Sequence, residues 1–223
     1  MTSAPYFEST DSTASAMTHR LAPLHFGPPL ADASISVGRP GRELCLYPGK
    51  PGYDLQDELD FLSYRAIEAN VFFTGRFLAP AMPRLEDRLV WLALLRDISG
   101  ARSRIRLLMP FTVDRPGIAV GPPILRVWAN AFAPLGTPLL DAEDGVETLD
   151  NLFEALARRE ANLPATLVLP DVRLNGRFAQ MARAVALCRD LPVSTSNVPI
   201  LARLRTIRWP NASGRSARRW ERW

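Results

Sequence analysis

Apolar positions along this chain switch repeatedly between helical and strand spacing over residues 54–198, and the switches define its elements. Leu55, Leu59, Leu62, Ala66 and Ala69 recur every three or four residues and predict a helix. Asp54 is placed to cap it, and Asp57 and Glu58 suit the positive end of its dipole. A short helical turn is expected over Gly75–Leu85, interrupted by Pro80 and Pro83. The unbroken apolar run Leu89–Leu95 is short enough for a strand buried on both faces. Asp97–Gly100 reads as a turn, and Ile105, Leu107, Met109, Phe111 and Val113 then alternate strictly, as a half-buried strand does. The two strands are expected to pair antiparallel, with Pro110 implying an edge or a bulge.

Further on, Ile124–Phe132 reads as a third strand. Asp144 with Glu147 has the spacing of a capping box, with Asp in place of Ser or Thr. It opens a helix carrying Val146, Leu149, Leu152, Phe153 and Leu156 on one face. Ala165–Pro170 is a strand, and Phe178, Met181, Ala182, Val185 and Cys188 form a second buried helical face. Leu191–Val198 reads as a last strand. The predicted order is helix, short helix, three strands, helix, strand, helix, strand. That is a mixed α/β fold with helices on both faces of one sheet. Residues 1–50 have weak periodicity and are rich in Pro, Ser, Ala and Gly. They are expected to be mostly disordered, with one strand at Glu43–Tyr47.

The charge is unevenly spread. Pro199–Trp223 holds seven Arg and one Glu, a net +6, whereas the remaining 198 residues net −2. The basicity therefore belongs to the tail, and no specific nucleic-acid footprint is organised on the folded body. Arginine outnumbers lysine 26 to 1, a bias typical of GC-rich coding sequence. No apolar run reaches the ~18–20 residues of a membrane span. The N-terminus lacks the pattern of a secretory signal, so the expected compartment is the cytoplasm. Cys45 and Cys188 read as free apolar cysteines. His19 and His25 lie in the N-terminal tail, and no HExxH, GxSxG, CxxC or Walker pattern occurs. A metal or serine hydrolase is disfavoured, and no metal site is expected.

Three stretches carry a resemblance: NVFFTGRFLAPAM from Asn70, RIRLLMPFTV from Arg104, and LRVWANAFAPLGTPLLD from Leu125 to Asp141. With the element order, they resemble the GNAT acyltransferases, and more specifically the Fem-like bacterial acetyltransferases associated with cellulose biosynthesis, which carry two GNAT-like halves. The resemblance covers about Asp54 to Val198 and implies the N-terminal half. It implies acyl transfer from acetyl-CoA or another acyl-CoA to an amine or hydroxyl, in envelope or polysaccharide metabolism. It also implies a donor turn, between strand and helix, with glycines that let backbone N–H groups approach the pyrophosphate. The matching segment here, Asp141–Val146, has one glycine and three acids, so the chain itself is expected not to bind the donor.

The sequence Pro199–Trp223 has no sustained period and reads as a frameshifted or truncated end. The alternative is a basic tail for an acidic partner or surface. The tail is expected to stay out of the core. Trp128, Asn130 and Phe73 are the candidates for a substrate cleft, against the plain alternative that the rings are core and the amide satisfies a bend. No catalytic residue is assigned. The expected partner is a second GNAT-like half, or another copy meeting this one through an exposed apolar face. Two further readings stand beside the acyltransferase: a non-enzymatic GNAT-like pseudo-domain, and a basic-tailed adaptor for anionic surfaces.

Overall fold

The computed structural model describes residues 31–49, 52–100, 102–114 and 121–195, with the backbone of 205–208. The fold is α/β, a mixed sheet with helices on both faces. Its strands are β1 (Ala33–Ser36), β2 (Arg42–Pro48), β3 (Trp91–Ser99), β4 (Arg102–Asp114), β5 (Ile124–Val127), β6 (Leu139–Leu140), β7 (Thr166–Val168), β8 (Val193–Thr195) and β9 (Arg205–Arg208). The helices are α1 (Gln56–Arg65), α2 (Gly75–Leu85), α3 (Gly145–Ala157) and α4 (Arg177–Cys188). Strand order is β1-β2-β3-β4-β5-β7-β9-β8, with β6 alongside β4. All described pairs are antiparallel except β5–β7, which are joined through α3. α1 packs on α2, and α3 on α4.

β3 pairs antiparallel with β4 along its whole length, as the sequence predicts, with a bulge between Leu95 and Arg96. The turn is tighter than expected, because β3 runs on to Ser99. The register stacks cross-strand rows that build the core: Leu44, Leu95 and Leu107, then Leu46, Ala93 and Met109. All six are buried. Burying each of the five Leu and Met side chains contributes about 1.5–3 kcal/mol, so this seam anchors the fold.

Pro110 was expected at an edge or bulge, yet β4 is an interior strand. Pro110 sits where the neighbour of β4 changes. β6 pairs Leu107 and Leu108, and β5 pairs Phe111 to Asp114. In an antiparallel strand, N–H and C=O of one residue face the same neighbour. The Pro110 carbonyl accepts from Trp128 N on the β5 side (2.9 Å). The missing donor therefore falls at the handover, where little pairing is lost.

Several boundaries differ from the periodicity. Helix α1 has Leu55 as its N-cap with no side-chain cap bond, and it stops at Arg65, before Ala66 and Ala69. Asp144 is the N-cap of α3, but in a left-handed conformation (φ 57°) and without a capping side-chain bond. Its carboxylate turns to Arg39 instead. β5 ends at Val127, short of Phe132. Cys188 is exposed, not buried: α4 reaches the core through Phe178, Ala179, Ala182, Val185 and Ala186.

Residues 31–49 were expected to hold one strand and instead hold two. β2 is hydrogen-bonded along its length to β3, so the folded body begins upstream of Asp54. At the other end, Arg205–Arg208 was expected outside the core and instead pairs with both β7 and β8. Its residues, Arg-Thr-Ile-Arg, hold a single apolar side chain and so give no alternation to read. His19, His25 and the rest of both tails lie outside the described residues.

Candidate functional site

Open α/β sheets place ligands at the carboxyl ends of adjacent parallel strands. Here that location is the end of the β5–β7 pair, and the chain fills it with its own loop. Beyond Val127, Asn130 turns the backbone sharply. Its Oδ1 accepts from Phe132 N and Ala133 N (both 2.9 Å), and its Nδ2 donates to Leu85 O at the end of α2 (3.1 Å). The returning segment is held by Asn70, which is buried and donates from Nδ2 to Leu135 O (3.0 Å) and Thr137 O (2.8 Å). Asn70 Oδ1 also accepts from Phe72 N (3.1 Å). Gly136 N donates to Pro170 O just past β7 (3.1 Å). A Cβ at Gly136 would lie 2.4 Å from that carbonyl oxygen, so only glycine allows the approach.

The three cleft candidates sit inside this packing. Trp128 is 1% exposed and Phe73 fully buried, their rings 6.4 Å apart and tilted by 31°. Asn130 spends its amide on the bend. Phe73 and Trp128 are brought together as core, and none of the three is among the residues lining the cavity between α2 and β3. The residue that organises the segment is Asn70. Sequence reasoning quoted it at the head of a motif but gave it no role.

The second feature is a charge network at the strand-to-helix turn before α3. Asp141, 1% exposed, pairs with Arg65 (3.2 Å), Arg104 (3.0 Å) and Arg106 (3.5 Å). Glu143 meets the same three arginines at 3.0, 2.6 and 3.2 Å. Asp97 receives Arg39 (2.6 Å), Arg42 (2.7 Å) and Arg106 (2.6 Å). Glu147 on α3 reaches the fully buried Arg42 (3.1 Å), and Asp144 reaches Arg39 (3.3 Å). Five arginines thus face five carboxylates.

The network grows from register. Arg42, Asp97 and Arg104 are direct cross-strand neighbours, as opposite charges prefer. Arg104 and Arg106 alternate with Ile105 and Leu107 along β4. Burial pushes the Asp97 carboxyl up, but hydrogen bonds from Arg42, Arg39 and Arg106 outweigh it and hold the group well below the usual carboxylate range. For Arg106, burial works against the charge, while Asp97 and Glu143 more than restore it. Arg106 Nη1 lies within ion-pair distance of Asp141 and Glu143 yet outside hydrogen-bonding geometry.

This turn does not fit a pyrophosphate. Its acids are oriented by arginines that are already paired, and an incoming polyanion would have to break those pairs. Gly145 offers no cradle either, because a Cβ there would lie 2.7 Å from Ile67 Cδ1 and 2.8 Å from Met181 Cε. The space beside it is occupied by side chains.

The third feature is a half-open cavity of about 310 Å³ between α2 and the start of β3. Ala79, Met82, Pro83 and Val90 line it, with Tyr53 and Leu89 at the rim. Glu86 and Arg88 supply the charged lining. Arg88 donates to Glu86 (2.7 and 2.9 Å) and to Asp114 (2.7 Å). These bonds from Arg88, above all, hold the Glu86 carboxyl below its ordinary range. Trp128 contributes least to that shift, and its Nε1 makes no hydrogen bond of normal geometry. Among the described residues no group of His, Cys, Asp and Glu is arranged to hold a metal ion, and no helix is long and apolar enough to cross a membrane. The chain matches no protein-family model, no curated protein and no solved structure.

Proposed function

We propose that this chain is a GNAT-like acyltransferase domain that does not itself take an acyl-CoA donor and acts as the non-catalytic half of a Fem-like enzyme of polysaccharide or envelope metabolism. The element order supports the family: two helices, antiparallel strands, an α3 crossover into a parallel strand, then α4 and a closing hairpin. One observation carries the loss of donor binding. The turn where a donor's pyrophosphate would sit holds Asp141, Glu143 and Asp144, each bound by arginines that other acids already share. The carboxyl end of the β5–β7 pair is likewise filled by the Asn70-held loop.

The partner under this reading is a second GNAT-like half, or another copy of the chain, with acyl transfer residing in the assembled protein. The test is calorimetry of the chain with acetyl-CoA. The expected result is no saturable binding tighter than about 1 mM, or about −4 kcal/mol. Micromolar binding would overturn the reading and send the search for the donor site elsewhere on the sheet.

A further inference from the structure

We propose that the cavity beside α2 binds a small amphiphilic amine, with its hydrocarbon body against Met82 and Val90 and its ammonium group at Glu86. This goes beyond the acyl-donor question and does not depend on it. The volume of about 310 Å³ is roughly twice that of an apolar cavity known to bind benzene, which is about 150 Å³. It therefore has room for a body of about ten non-hydrogen atoms. The floor is formed by Ala79, Met82 and Val90, all buried and apolar. Tyr53 and Leu89 at the rim are each about half exposed, 53% and 48%.

The head group follows from charge. Two carboxylates, Glu86 and Asp114, face one guanidinium, Arg88, among the described residues. Arg88 is committed to both, through Nε and Nη2 to Glu86 and through Nη1 to Asp114. Glu86 is nearly buried, its side chain 8% exposed, and it lines the cavity. Its Oε1 accepts from Arg88 Nε and, at 3.3 Å, from Arg88 N, and its Oε2 from Nη2, which leaves one of about four acceptor sites, on Oε2, for a cation. Among the described lining residues a ligand carboxylate would meet Glu86 and an arginine already engaged by two acids, while an ammonium meets the Glu86 carboxylate, whose arginine is shared with Asp114. Apolar walls around a few convergent polar groups are the general form of a small-molecule site.

The experiment titrates the full chain with octylamine, octanol and octanoate, three ligands of nearly equal size, by calorimetry with circular dichroism as a check on folding. Octylamine is expected to bind saturably below about 1 mM and about tenfold tighter than octanoate, with octanol between. Glu86→Gln should bring octylamine to within about threefold of octanol while octanol binding survives. Asp114→Asn should narrow the same gap and serves as the readout if Glu86→Gln does not fold. Met82→Trp, which fills the floor, should remove binding of all three. No saturable binding of octylamine, octanoate binding as tightly as the amine, or full binding by a folded Met82→Trp chain would each overturn the proposal.

Discussion

Replacing Asp97 by Asn removes one charge and leaves three arginines without their shared partner. Arg39 is 41% exposed and resolvates at little cost. Arg42 has no exposed surface and keeps only Glu147, and Arg106 keeps Asp141 and Glu143. Breaking a buried ion pair by removing one partner costs about 3–5 kcal/mol. Because Arg42 and Arg106 each retain an acid and Asn still accepts one hydrogen bond, the lower end applies, about 3 kcal/mol. For a body of this size that lowers the melting midpoint by about 6–12 °C. The assay is thermal unfolding at pH 7 in low and high salt. The loss should survive 1 M NaCl, because buried pairs are screened far less than surface ones.

The pH dependence has a definite sign. A carboxyl held low in the folded state contributes stability that is fully present above the unfolded value near 3.9. That stability is lost as pH falls below it toward the folded value. The gap between wild type and Asp97→Asn should therefore close in acid, starting below about pH 4. A midpoint drop of less than about 2 °C, or a gap unchanged down to pH 2, would refute the assignment of Asp97 as the hub.

Three further outcomes follow from the geometry. Asn70→Ala strands the Leu135 and Thr137 carbonyls and should cost about 2–3 kcal/mol by chemical denaturation, and a cost below about 0.5 kcal/mol would mean that the loop holds itself. A chain ending at Val198 lacks β9 and bares the backbone edge of β7, so its midpoint should fall by more than about 5 °C and its light scattering rise. An unchanged midpoint would detach Arg205–Arg208 from the fold. Thiol labelling of the folded chain should modify Cys188 alone, because Cys45 is buried and burial pushes its thiol pKa up, and rapid labelling of two thiols would contradict that placement.

Period determined what the sequence could determine. The five-residue alternation from Ile105 to Val113 and the helical stripes of α3 and α4 each bury one face. They specified the β3–β4 pairing, the crossover and the fold class without any partner being known. β1, β6 and β9 were not predicted, whereas the similarly short β5, β7 and β8 lay within longer stretches that read as strands, and β9 lies in a segment whose arginines argued against burial. The site was less legible still. Asp141, Glu143 and Asp144 were visible as acids at a helix start, but the sequence gives no sign that Arg39, Arg65, Arg104 and Arg106 converge on them from a turn, a helix and one strand. Trp128 and Asn130 were chosen because an aromatic and an amide suit a cleft. Only the tertiary structure decides that the ring is core and the amide a bend, because burial and hydrogen-bond partners come from residues distant in the chain. Asn70 and Leu135 are 65 residues apart, and Arg42 and Glu147 are 105 apart. Contacts at those separations are set by the register of the sheet rather than by local spacing.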